Sequence, residues 1–129
     1  MATNPPLTVE LLNEICEAFN RQDVDAIVSY FAEDGEWLMA RGPEAPWGRR
    51  LVGRQAIADV LRARYKVIPD MRWVDLRHWV AGEQGVSEWR VLGTPASGPP
   101  VDWLGCDLWA FRGGRIVTKN TYWKLVEPA

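Results

Sequence analysis

The chain is poor in most of the residue types that build special chemistry. Its 129 residues include two cysteines, Cys16 and Cys106, and one histidine, His78. Two cysteines cannot form the several bridges that staple small secreted domains. With a single histidine and no CxxC or HxxxH spacing, no zinc site is expected. Basic residues are not in excess either: 15 Lys and Arg stand against 17 Asp and Glu, a formal net charge of −2. The electrostatic footprint of a nucleic-acid binder or an anionic-membrane binder is therefore missing. Apolar runs reach only a few residues, far short of a membrane span. The opening MATNPPLTVELLNEICEAFN has neither a basic n-region nor an apolar h-region, so no secretory signal is read and a cytoplasmic, reduced protein is expected. Phe and Tyr are scarce, three of each.

Tryptophan is abundant instead, with eight residues in a chain that is 47% hydrophobic and 25% charged. Those bulk proportions are ordinary for one globular domain. A chain of this length buries roughly 65–70% of its unfolded surface, enough for a core without staples. Eight large flat side chains need a place in that core or around it, and a cavity wall is one candidate.

The first half of the chain has helical periodicity. Residues 1–7, with Pro5-Pro6, form a short tail, and Thr8 caps a helix whose stripe is Leu11, Ile15 and Phe19, with Leu12 and Cys16 beside them. Asp23 caps a second, short helix with Val24, Ile27, Val28 and Phe31 on one side. Asp34-Gly35 ends it, and Glu36 to Ala40 forms a short strand. Arg41 to Arg50 is a loop rich in Gly, Pro and Arg. Arg54 to Tyr65 is a third helix, with Ile57, Val60, Leu61 and Arg64 on one side.

From Ile68-Pro69-Asp70 onward the period is two. Strands are expected over Met71 to Ala81, Val86 to Gly93, Val101 to Phe111 and Ile116 to Leu125, with Gly113-Gly114 as a tight hairpin. Helices first and an antiparallel meander second imply an α+β fold, the helices covering one face of a curved sheet. No repeat, linker or low-complexity segment divides residues 1–129, so a single domain is expected.

Three stretches carry a resemblance: Phe19 to Gly35 (FNRQDVDAIVSYFAEDG), Leu51 to Ala58 (LVGRQAIA) and Cys106 to Lys124 (CDLWAFRGGRIVTKNTYWK). In their order and spacing they resemble the nuclear transport factor 2-like superfamily, which includes ketosteroid isomerase, scytalone dehydratase, limonene epoxide hydrolase and the SnoaL-like polyketide cyclases. The resemblance implies a cone-shaped α+β barrel of the cystatin-like type. In it a curved antiparallel sheet wraps around three helices, encloses an apolar pocket and pairs as a homodimer through its outer face. It does not choose a reaction, because a fold is not a function.

Aligned on that pattern, Asp107 falls where the isomerase keeps its oxyanion-hole aspartate. Trp103, Gly105, Trp109 and Phe111 share its face, since alternate strand residues point the same way. Across the hairpin two registers are open. A plain two-residue turn pairs Asp107 with Asn120, whereas a turn with a bulge at Gly114 pairs it with Thr121 and turns Val117, Lys119 and Trp123 inward. The family hairpin is similar to the second form. The same alignment turns Val86, Glu88, Arg90 and Leu92 inward on the preceding strand, and Trp37 and Met39 on the first.

The expected site is thus a pocket walled by Trp37, Met39, Trp103, Trp109, Thr121 and Trp123, holding four charges: Asp107, Lys119, Glu88 and Arg90. An aromatic cavity with a few convergent polar groups is the ordinary form of a small-molecule site. The carboxyl farther from a cation is the better proton donor, and Asp107 is preferred. Other family chemistries fit less well. The isomerase's general base falls at Met39 and its tyrosine at Ile15, the epoxide hydrolase strand motif appears reversed as Glu88-Trp89-Arg90, and its last aspartate falls at Thr121. A His–Asp dyad would need His78 inward. Trp73, Trp79 and Trp89 are assigned to sheet faces or a dimer contact. Trp47, with Arg41, Arg49 and Arg50, is placed at a pocket mouth, and Cys16 and Cys106 are read as inert thiols.

The reading is a SnoaL-like enzyme without cofactor or metal, acting by acid–base catalysis as an isomerase, cyclase or dehydratase on a hydrophobic cyclic small molecule. Two alternatives remain: a non-catalytic binding or dimeric interaction module, and a scaffold whose interior is filled by its own tryptophans.

Overall fold

Two capped helices open the described part of the chain, residues 6–129 of this computed structural model. Helix α1 (Val9–Asn20) starts where the Thr8 hydroxyl accepts from the Leu11 amide at 3.0 Å, and α2 (Val24–Ser29) where the Asp23 carboxylate accepts from the Ala26 amide at 3.1 Å. Such caps satisfy amides that the first turn leaves free. The expected tail lies mostly outside the described residues, but Leu7 is buried in the core beneath α1.

The chain continues as β1 (Phe31–Glu44), β2 (Gly48–Val52), α3 (Arg54–Val67), β3 (Arg72–Ala81), β4 (Gln84–Gly93), β5 (Val101–Arg112) and β6 (Arg115–Trp123). The six strands form one sheet in the order β2-β1-β6-β5-β4-β3. Helix α1 packs on β3 and α3 on β1, so the core lies between the helices and one face of the curved sheet. This is the α+β cone read from the sequence.

Two details differ. Strands β3 to β6 are antiparallel as expected, but β1 runs parallel to β6, with Trp37 opposite Lys119. No hairpin joins those two strands, so nothing local imposes the antiparallel sense. The stretch expected as a loop, Arg41 to Arg50, is largely an edge hairpin in which Met39 faces Arg49 and Glu44 faces Gly48. Its pairing is made by backbone groups, which a Gly-, Pro- and Arg-rich composition conceals. Asp34-Gly35 lies inside β1, at an irregularity between Phe31 and Glu36. A Cβ on Gly35 would sit 2.8 Å from the Ile116 carbonyl oxygen, so the missing side chain lets the strands close. No helix among the described residues is long and apolar enough to cross a membrane.

Candidate active site

The β5–β6 hairpin sets which side chains meet Asp107. Arg112 pairs with Arg115 across Gly113 and Gly114, whose φ values are 59° and 79°. This is the two-residue turn in which both central residues need positive φ. Taken alone it would place Asn120 opposite Asp107. The register slips between Phe111–Ile116 and Ala110–Thr118, leaving Val117 as the extra residue, and Asp107 faces Thr121. The turn is thus the plain form and the register the bulged one, because the bulge sits three residues beyond Gly114. Ile116, not Val117, packs in the core; Lys119 and Thr121 turn inward as expected.

Asp107, Lys119 and Thr121 form one buried cluster, each about 5% exposed or less. The Lys119 ammonium donates to Asp107 Oδ1 at 2.8 Å and to Thr121 Oγ1 at 3.0 Å. The Thr121 hydroxyl donates to the same Oδ1 at 2.6 Å and accepts from Trp37 Nε1 at 2.9 Å. Its single donor and two acceptor positions are thereby used up. Asp107 Oδ2 accepts from Trp89 Nε1 at 2.9 Å. All three contacts of Asp107 are donors aimed at it, so it meets the interior as an acceptor rather than as the proton donor preferred from sequence. The Lys119 nitrogen also lies 4.7 Å from the Trp37 ring centre, 5.2 Å from that of Phe19 and 5.6 Å from that of Trp109. Those ring faces favour a cation. Burial nevertheless pushes the Lys119 ammonium below the ordinary lysine pKa, against the opposing pull of Asp107.

Glu88 and Arg90 do not belong to the cluster. Strand β4 is turned the other way: Ser87 lies opposite Asp107 and Trp89 opposite Gly105. Gly85, Ser87, Trp89, Val91 and Gly93 face the core, while Glu88 and Arg90 are exposed, paired with Arg77 at 3.3 Å and Asp102 at 2.7 Å. Burying two charges costs several kcal/mol each before pairing, whereas a tryptophan gains from burial. That difference sets the strand's face. Trp89, assigned to an outer surface, is buried and holds Asp107.

A bulge also reorients β3. The pairing slips between Val74–Arg90 and Arg77–Glu88, at Asp75 with φ 56°. Trp73 and His78, of opposite parity, therefore both face inward. Trp73 meets Phe19 edge-on at 5.6 Å. His78 Nδ1 lies 2.8 Å from the Ser87 hydroxyl, which accepts from Trp109 Nε1 at 2.8 Å. The Ser87 proton is then free for Nδ1, and burial lowers the His78 pKa toward the neutral ring. Burial, followed by the charge of Asp107, pushes the Cys16 thiol up to about 12.

The expected open pocket is closed. Asp107 and Lys119 line an internal cavity with Cys16, Trp73, Trp89 and Trp109, but the free space is only about 10 Å³, the room of one water molecule. Trp37 fills the interior, and Trp109, equally buried, walls only that small space. The Trp103 and Trp123 rings lie against each other with centres 4.7 Å apart and planes tilted by 38°, and they and Met39 are partly buried against the core. Trp47 is exposed on the β1–β2 turn beside Arg50, and Trp79 is exposed on the outer sheet face. No group of three or more His, Cys, Asp or Glu among the described residues could hold a metal.

Arg64 is the residue that sequence reasoning passed over. Its guanidinium carbon lies 5.0 Å from the Trp37 ring centre. It makes no ion pair and no side-chain hydrogen bond among the described residues, and burial lowers its pKa. The signal was present: an arginine on the apolar side of α3, in line with Ile57 and Leu61.

The sequence profile of the SnoaL-like domain matches residues 12–119. Among curated proteins none matches the chain. Similar solved structures include a candidate polyketide cyclase of Xanthomonas campestris pv. campestris, 25% identical, with TM-score 0.77 over 89% of this chain and 88% of that one. A candidate polyketide cyclase of Pseudomonas putida is 20% identical, with TM-score 0.78 over 90% of both chains. A ketosteroid isomerase-like fold from Catenulispora acidiphila, solved in complex with trimethylamine, is 21% identical, with TM-score 0.77 over 92% of this chain and 88% of that one.

Proposed function

The chain belongs to the SnoaL-like domain family, and from that premise we propose that it is a small-molecule isomerase or cyclase working by proton transfer on a hydrophobic cyclic substrate. The observation that supports this reading is the buried Asp107–Lys119 pair, which lines a cavity of about 10 Å³ beneath the helices. Asp107, surrounded by donors, serves as the base that takes a proton from carbon next to a carbonyl. Lys119 lies beside it to stabilise the negative charge that develops on the carbonyl oxygen, and Asp107 returns the proton to a new position. In isomerisation the proton returns to another carbon; in cyclisation the enolate carbon bonds to a second carbonyl carbon, whose oxygen takes the proton; in dehydration the proton goes to the departing hydroxyl, which leaves as water. Thr121, Trp89 and Trp37 hold the two charged groups in place. Glu88 and Arg90, on the outer face, have no part in it.

Substrate entry requires side chains to move, because the cavity has room for one water. The filled interior supports a second reading, a non-catalytic dimeric module of the same fold. Trp79, Leu104, Leu108 and Tyr122 are exposed on the outer sheet face, the surface a homodimer would cover.

A tryptophan-fluorescence screen of hydrophobic cyclic ketones separates the two. The enzyme reading expects a ligand that is also turned over, with Asp107→Asn removing turnover while binding stays within about tenfold, since Asn keeps the size of Asp. Ligands that bind without any turnover would support the module instead.

A further inference from the structure

Three lysines occur in the chain, and Lys119 is the buried one; Lys66 and Lys124 are exposed. An ammonium carries three N–H donors. Two of those on Lys119 go to Asp107 Oδ1 at 2.8 Å and Thr121 Oγ1 at 3.0 Å, and the third has no acceptor among the described residues. The nitrogen is otherwise surrounded by the rings of Trp37, Phe19 and Trp109, and Lys119 lines the small cavity.

This ion pair has a neutral form within reach. Moving one proton across the 2.8 Å to Asp107 gives an amine and a carboxylic acid, which need less solvation than two ions. Burial acts on Lys119 in that direction, lowering its pKa. Asp107 is also held still for the task, because Trp89 Nε1 donates to Oδ2 at 2.9 Å while Oδ1 stays against the amine. A desolvated amine beside a fixed proton carrier is the arrangement of a nucleophilic lysine.

We infer that Lys119 forms an imine with the carbonyl carbon of a ketone or aldehyde substrate, with Asp107 as its proton carrier. The inference rests on the proton-transfer reading above and narrows its substrate class to ketones and aldehydes. The ammonium first gives a proton to Asp107. The amine lone pair then forms the C–N bond while the carbonyl electron pair moves to oxygen, which takes a proton from the same nitrogen. Asp107 returns its own proton to that hydroxyl, the C–O bond breaks, and water leaves an iminium behind. Asp107, again a carboxylate, removes the proton from the neighbouring carbon, and the electrons settle on nitrogen as an enamine. The nitrogen thus takes over the electron-accepting part of the carbonyl oxygen. Return of the proton and of water frees Lys119.

Two readouts with the ketone 2-tetralone test this. Sodium cyanoborohydride delivers hydride to an iminium and fixes the ketone as a secondary amine. Peptide mass mapping of the native protein is expected to find that adduct on Lys119 at least about tenfold above exposed Lys66 and Lys124. In oxygen-18 water the native protein is expected to exchange the carbonyl oxygen at least about tenfold faster than buffer, since imine formation and hydrolysis replace that oxygen. Lys119→Arg keeps a cation beside Asp107 but forms no imine, and both signals should fall to background. An adduct on Lys119 no greater than on Lys66 and Lys124 overturns the imine, as does oxygen exchange that survives in Lys119→Arg. Faster proton exchange at the neighbouring carbon without adduct or oxygen exchange also overturns it, and leaves the proton-transfer reading standing. The adduct without proton exchange keeps the imine and removes Asp107 as the base. Circular dichroism shows whether Lys119→Arg folds; if it does not, the mapping of the native protein carries the test alone.

Discussion

Lys119→Met removes the cation from the buried cluster and leaves its carboxylate behind. The variant loses two charge-assisted hydrogen bonds, at 2.8 and 3.0 Å, and the attraction of three aromatic rings. Breaking a buried pair by removing one partner costs about 3–5 kcal/mol, mostly because the other charge is stranded. Asp107 keeps two donors, Trp89 and Thr121, so the lower end, about 3 kcal/mol, is expected. For a domain of this size that is a fall in melting temperature of roughly 10–15 °C. Urea unfolding followed by tryptophan fluorescence reads the change, with the slope on denaturant unaltered. The double variant Lys119→Met/Asp107→Asn strands no charge and is expected to cost at least about 1.5 kcal/mol less than the sum of the single changes. The pair also leaves a mark on pH dependence. Burial holds the Lys119 pKa below its ordinary value of 10.5, so between the two values the unfolded chain binds more protons than the folded one. Stability from this group therefore rises with pH up to about 10.5 and is lost as pH falls through the folded value. That rise is expected to vanish in Lys119→Met. A cost under about 1 kcal/mol, or strictly additive single changes, would show that Lys119 reaches water and that the cluster is not coupled.

Ser87→Ala strips the acceptor from the buried Trp109 N–H and the partner from His78, and chemical denaturation should show a loss of about 1–3 kcal/mol. Cys106, read as inert, is only half-buried; burial raises its thiol pKa less than that of buried Cys16, which is pushed up to about 12. Thiol labelling at pH 8 should therefore be slow at Cys106 and absent at Cys16, and prompt labelling of both would contradict the packing of α1. Glu88→Gln and Arg90→Gln break only exposed pairs and should each change stability by less than about 1 kcal/mol and leave turnover intact.

Helices, strands and inner faces were readable where one chemical preference ran through a whole element. The caps at Thr8 and Asp23, the stripe on α1 and the alternation of β5 follow from local rules, and the structure repeats them. Three things were not readable. The bulge at Asp75 changes the parity of β3, and the one on β6 sits at Val117 instead of at the Gly114 turn where it was expected, neither with a mark in the apolar pattern. On β4 the alignment to the family favoured burying Glu88 and Arg90, against the plainer rule that charges stay in water while Trp89 goes inside. The volume of the cavity depends on side-chain directions that no one-dimensional pattern contains. Asp107, Lys119, Thr121 and Trp109 were placed together from sequence because β5 and β6 pair in the expected register, and Trp37 by the inner face assigned to β1; Trp89 and Ser87 join them only in three dimensions.

Whether Asp107 acts as a base is tested most directly by deuterium exchange at the acidic carbon of 2-tetralone, a two-ring ketone, followed by proton NMR in heavy water. The native protein should accelerate the exchange above buffer, and Asp107→Asn, folded and still able to bind the ketone, should return it to the buffer rate. Exchange at the native rate in Asp107→Asn, or no acceleration by the native protein when the ketone is bound, would contradict the assignment of proton transfer to this carboxylate.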